Sequence, residues 1–199
     1  MLILVRHGRT SANASGLLQG RVDNPLDDLG RMQAAAVGEA LANLGIRRVV
    51  CSPLARAVST ASEICSRAGV EAEVDERFIE LDYGQYDMIP LADVPGEVWD
   101  RWRADASFAP PGGESLLDLR QRVWAGLEEL ADQARRDDIA VVCHTSPIKA
   151  AVQWSLGVEE ELSWRMRLDP ASICRVAVRD RPVMVSFNET AHLAGLSPG

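Results

Sequence analysis

The chain is poor in the residue types that announce several large classes of protein. Lysine occurs once, at Lys149, so the other 20 of its 21 basic residues are arginines. Acidic residues outnumber basic ones, 29 to 21, giving a net charge of −8 with no block of five like charges. Lacking a basic tail, the chain has no electrostatic footprint for nucleic acid. No apolar run approaches the roughly 20 residues that span a bilayer. Met1 to Val5 is too short before Arg6 for a signal-peptide core. A cytoplasmic protein with no membrane partner is the expectation. Cysteine is scarce and dispersed (Cys51, Cys65, Cys143, Cys174), with no CxxC pair. That argues against a disulfide framework or zinc site and leaves buried thiols. Repeats, low-complexity stretches and linkers are also missing. With 47% apolar residues over 199, positions 1–199 read as one domain.

What is present is an alternation of strands and helices. Leu2 to Val5, Arg47 to Cys51 and Ile139 to Cys143 are short apolar runs of the kind buried on both faces of a parallel sheet. Asp27 can cap a helix from Asp28 to Leu44, with Met32, Ala36, Val37, Ala40, Leu41 and Leu44 on its apolar face and Gly45 ending it. Ser52-Pro53 suggests an N-cap and first helical residue, for a helix running to Arg67 and ended by Gly69. Glu71 to Val74 is a weak strand. Residues 114–136 form the clearest helix, through Leu116, Leu119, Val123, Leu127, Leu130 and Ala134. Ser146-Pro147 opens another helix, and a short one is expected near Glu160 to Met166. Ile173 to Val178 and Val183 to Phe187 can pair as a hairpin. The alternation predicts an α/β fold: a three-layer αβα sandwich around a mostly parallel sheet. Between residues 76 and 113 the chain is loop-rich and carries Trp99, Trp102 and Phe108. The three-residue step from Trp99 to Trp102 suits a helix packed on the core.

Three strands end in polar clusters: Arg6-His7-Gly8, Ser52-Pro53 with Arg56 one turn on, and His144-Thr145-Ser146. Ligands of open α/β sheets bind outside the carboxyl ends of the strands. Such an edge would gather two histidines, two arginines and helix N-termini, a combination that favours an anion. The guanidinium fork matches phosphate oxygens. Between arginines, His7 should favour its neutral form, leaving a ring nitrogen as a nucleophile. A metal site is the rival reading. It would need Glu80 or Asp82 as a third ligand, no HxH, HExxH or HxxxH spacing supports it, and the arginines would repel a cation. No metal or cofactor is therefore expected.

These residues carry a resemblance. Arg6-His7-Gly8-Arg9-Thr10, Asn13, Gln19-Gly20, Asp23-Asn24-Pro25-Leu26, Cys51-Ser52-Pro53-Leu54-Ala55-Arg56-Ala57 with Thr60-Ala61, Glu80 four residues before Gly84, Pro111-Gly112-Gly113-Glu114-Ser115 and His144 occur in order along the chain. The sequence resembles the histidine phosphatase superfamily, which includes cofactor-dependent phosphoglycerate mutases and acid phosphatases. The resemblance implies a phosphoglycerate mutase-like fold and two-step phosphoryl transfer. His7 would attack phosphorus to form a phosphohistidine. Glu80 would protonate the leaving oxygen and then activate water, with Asp82 as the rival donor. Arg6, Arg56 and His144 would hold the transferring group, and Asn13, Gln19 and Thr145 would reach the phosphate or leaving group. The implied activity is a metal-independent phosphatase acting on a small-molecule phosphomonoester.

A phosphoglycerate mutase-type phosphotransferase and a non-catalytic phospho-ligand-binding protein are the alternatives. The family's mutases are longer, which favours the phosphatase. Three positions depart from the family pattern. Thr145 replaces a usual glycine, Asp87-Met88 replaces Glu-Gly with a methionine that could narrow the pocket mouth, and Arg9 replaces Glu or Gln. Substrate choice is expected in a lid at about 82–113. His192 is expected to anchor a loop, and a homodimer stays open.

Overall fold

The computed structural model describes residues 1–196. Six strands, β1 (Leu2–Arg6), β2 (Arg48–Cys51), β3 (Ala72–Val74), β4 (Ile139–Cys143), β5 (Ile173–Val178) and β6 (Pro182–Glu189), form one sheet in the order β3-β2-β4-β1-β5-β6. β3, β2, β4 and β1 run parallel; β5 and β6 add an antiparallel hairpin beside β1. The helices are α1 (Ser11–Ala14), α2 (Asp28–Leu41), α3 (Ala55–Ala68), α4 (Gly96–Ala104), α5 (Leu116–Ala134) and α6 (Thr145–Leu156).

The central strands are apolar throughout because both faces are covered. Leu2, Leu4, Val141 and Cys143 face the core shared with α5 and α6, while Ile3, Val5, Ala140 and Val142 face that of α2 and α3. This is the expected three-layer sandwich. All six apolar positions expected on α5 are buried, and Ser115 caps its first turn by accepting the Asp118 N–H.

Three helix boundaries differ from expectation. α2 ends at Leu41, and its buried face includes Gln33, Ala34 and Gly38, while Met32 and Leu44 are exposed. Gln33 turns inward because its Oε1 accepts the Arg9 N–H. Gly38 lies against α3, where a Cβ would come within 2.6 Å of the Glu63 carbonyl. α3 begins at Ala55; the Ser52 hydroxyl oxygen accepts the Leu54 N–H at 3.3 Å as well as the His144 Nε2–H. α6 begins at Thr145, with His144 at the capping position. The segment expected to be loop-rich contains α4, and the expected short helix after α6 is a 3₁₀ turn at Glu160–Arg165.

Candidate active site

Sheet order builds the site. β1 lies beside β4 with Arg6 opposite Cys143, so the next residues, His7 and His144, leave the sheet side by side. Their ring centroids are 5.0 Å apart. β2 flanks β4 on its other side and delivers Ser52 to the same edge. The turn after His7 is pressed against α2: a Cβ on Gly8 would overlap the Gly30 carbonyl, and one on Gly30 would overlap Arg9 O.

Hydrogen bonds settle the histidine tautomers, since a carbonyl can only accept and a guanidinium can only donate. His7 Nδ1 donates to Gly8 O at 2.7 Å, which leaves Nε2 as the free ring nitrogen. Burial, then Arg6 and Arg56, hold its pKa well below the ordinary histidine value. His144 Nδ1 accepts from Arg56 Nε at 3.2 Å, so its Nε2 donates to Ser52 Oγ at 2.7 Å. Burial first, then His7 and the arginines, push His144 well down as well. Arg56 is fully buried and also donates to Gly20 O and Val22 O, leaving two of its five N–H groups.

A cavity of about 480 Å³ opens on this edge. Of the expected site residues, Arg6, His7, Asn13, Gln19, Glu80 and Thr145 line it, whereas Arg56 and His144 lie behind its lining. Besides Trp102 Nε1, two buried N–H donors on the lining have no partner among the described residues, Arg6 Nε and Gln19 Nε2. The other ends of these side chains are fixed: Arg6 donates to Leu168 O at 2.6 Å, and Gln19 Oε1 accepts from Thr10 Oγ1 at 2.7 Å. Asn13 Oδ1 accepts the Thr10 N–H as part of the α1 capping box.

Glu80 sits at the start of α6. Its Oε2 accepts the Thr145 N–H at 3.1 Å, and its Oε1 accepts those of Ser146 at 3.2 Å and Leu81 at 2.8 Å. Asp82 turns away, accepting the Gly84 N–H and facing Arg21. Thr145 is an ordinary helical residue, so the departure from glycine strains nothing there. Met88 is different. Its φ of 64° is left-handed, its side chain meets Asn24 with Sδ 3.3 Å from Nδ2, and it is not part of the cavity lining. It does not narrow the mouth as expected; the cost of replacing glycine is conformational.

Several supporting residues were not visible in the sequence. Arg122 of α5 donates to the Arg77, Ile79 and Glu80 carbonyls and pairs with Glu114, bracing the segment that carries Glu80. Asp87 accepts the N–H groups of Gly20, Arg21 and Val22, the loop whose carbonyls hold Arg56. Lys149 lines the cavity one turn beyond Thr145. The carbonyls that Arg122 holds and the amides that Asp87 holds lie 42 to 67 residues away, beyond any local pattern. His192 anchors as expected: its Nε2 donates to Ala171 O, while the Ala171 N–H holds His7 O. The thiols of Cys51 and Cys174 are buried, which pushes each up to about 11.

Known proteins match over nearly all of this framework. A bifunctional protein of Mycobacterium tuberculosis is 33% identical over 176 residues, covering 86% of this chain. The chain spans about half of that protein's length, 48%. Phosphoserine phosphatase 1 of Hydrogenobacter thermophilus is 32% identical over 197 residues, covering 96% of this chain and 93% of its own. Among solved structures, phosphoserine phosphatase from Entamoeba histolytica in complex with 3-phosphoglyceric acid superposes with a TM-score of 0.88 at 28% identity, covering 96% of this chain and 98% of that one. The relatives that match over nearly their whole length thus include named phosphatases. The family model for the histidine phosphatase superfamily (branch 1) matches residues 2–190, and the chain belongs to that superfamily.

Proposed function

We propose that the protein hydrolyses a small-molecule phosphomonoester through a phosphohistidine on His7, without a metal ion. One observation carries this reading. The free Nε2 of a neutral His7 lines a cavity that presents, besides Trp102 Nε1, two buried donors without a partner among the described residues, Arg6 Nε and Gln19 Nε2. Buried donors normally find acceptors, and phosphoryl oxygens would supply them.

In the first step the Nε2 lone pair attacks phosphorus, forming the N–P bond as the P–O bond to the alcohol breaks. Arg6 and the two remaining Arg56 N–H groups stabilise the charge spread over the phosphoryl oxygens. Glu80 delivers a proton to the departing alkoxide. It then takes one from water, which attacks phosphorus and returns His7 to its starting form. Asn13, Gln19 and Thr145 orient the ester, and His144 holds Arg56 and packs on the His7 ring. Residues 82–113 form the lid over the leaving group within a single 1–199 domain. The names of the relatives make phosphorylated small carboxylic acids such as phosphoserine the first substrates to try.

The test is phosphate release from a panel of phosphomonoesters in EDTA, comparing wild type with His7→Ala. Release by wild type that is lost in His7→Ala is expected. Activity that disappears only on adding EDTA would overturn the metal-free mechanism. Transfer to an added alcohol, with no free phosphate, would favour the phosphotransferase reading.

A further inference from the structure

The far end of the cavity has its own chemistry. Its wall is built from Trp99, Trp102 and Trp164, whose rings form a contiguous aromatic surface: Trp99 to Trp102 is 5.6 Å between centroids and Trp99 to Trp164 is 6.2 Å. Leu116 and Leu119 of α5 continue it. The chain's one lysine lines the same cavity. Lys149 is half-buried, and its Nζ donates to Ser163 O at 2.7 Å, with Ser163 itself held by Gln153. Among the described residues no carboxylate lies within ion-pair distance of it. Burial draws its pKa below the ordinary lysine value, and the field of Glu80 is the opposing influence. An ammonium keeps three donors, and here one is used. A half-buried cation with no carboxylate in ion-pair distance among the described residues is costly unless a ligand brings the matching charge.

Helix geometry fixes where that charge would sit. The Thr145 N–H, which meets Glu80, lies four residues before Lys149 on α6, so the two share a face separated by about 6 Å along the axis. We infer that Lys149 is a specificity residue for the leaving group: it binds a carboxylate on a phosphomonoester whose apolar, planar body lies along the tryptophan wall. The inference takes the position of the phosphoryl end from the proposed function.

Binding of non-hydrolysable analogues separates the two readings, because it does not depend on turnover. The probes are benzylphosphonate and 4-(phosphonomethyl)benzoate, titrated calorimetrically into wild type and Lys149→Met. Wild type should bind the carboxylated probe about tenfold or more tightly than its parent, a difference of roughly 1.4 kcal/mol. In Lys149→Met that ratio should fall to near one, and Lys149→Arg should recover part of it. Equal affinities in wild type, a ratio that survives Lys149→Met, or a loss shared equally by both probes would each overturn the inference. So would failure of either probe to bind. In every one of these cases phosphate release by wild type and its loss in His7→Ala would still stand as the measure of the phosphatase reading.

Discussion

The two ends of the cavity are made differently. Behind His7 the polar groups form a chain of hydrogen bonds. Asp87 holds the 20–22 loop, that loop holds Arg56, Arg56 holds His144, and His144 holds Ser52. These residues come from strand ends and helix starts, where the sheet dictates their positions. At the far end the lining is tryptophan and leucine from α4, α5 and the 3₁₀ turn after α6, with a cation that has no ion-pair partner among the described residues. One end is built to hold a fixed charge distribution, the other to recognise an apolar body. On the proposed function, chemistry and selectivity would fall to separate structural layers, and substitutions should separate them too.

The largest effect should come from breaking the polar chain. Arg56→Ala leaves Gly20 O, Val22 O and His144 Nδ1 without their donor and, on the proposed function, removes two phosphoryl donors. Steady-state kinetics should show kcat falling by about 100-fold or more, to a similar extent for every ester tested. A loss confined to one substrate would place Arg56 in recognition instead.

A second effect follows from the two neutral rings. His7 and His144 are held well below 6.5 when folded and titrate near 6.5 when unfolded. Below that value the unfolded chain binds more protons. Their contribution is therefore complete above about pH 6.5 and is lost as pH falls, by up to about 1.4 kcal/mol per pH unit for each ring. Urea unfolding between about pH 7 and pH 5 measures it, and His7→Asn should lessen the slope.

At the apolar end a smaller change is expected. Trp164→Leu should raise KM for aryl esters several-fold while affecting kcat less, since it removes binding shared by ground and transition states. The smallest concerns neither end. Met88→Gly relieves a left-handed residue and should stabilise the fold by about 1 kcal/mol, visible as a rise of a few degrees in Tm.

How much of this was legible depended on distance along the chain. α5 could be read residue by residue because its packing follows a local period. His7 and His144 stood at strand ends and Arg56 one turn past another, so their convergence was legible as well, while Glu80 came from the family resemblance. The α3 start was misread: Ser52 accepts the Leu54 N–H as a cap would, but its oxygen also accepts from His144, which lies 92 residues away and which no local pattern announces. The same separation hid Arg122 and Asp87, whose neighbours in sequence say nothing of the carbonyls and amides they serve. Met88 could be recognised as a departure, but only its backbone angle shows that the consequence is strain rather than obstruction.

Asp87 stands at the head of the 88–113 stretch and binds three amides of the loop that seats Arg56. This gives the molecule a hinge point for diversification. On the proposed function, residues after Asp87 could be lengthened, shortened or exchanged to suit another alcohol while Arg56 stays clamped. A change at Asp87 itself would reach both. A laboratory library aimed at new substrates should therefore begin at Met88 and leave Asp87 untouched.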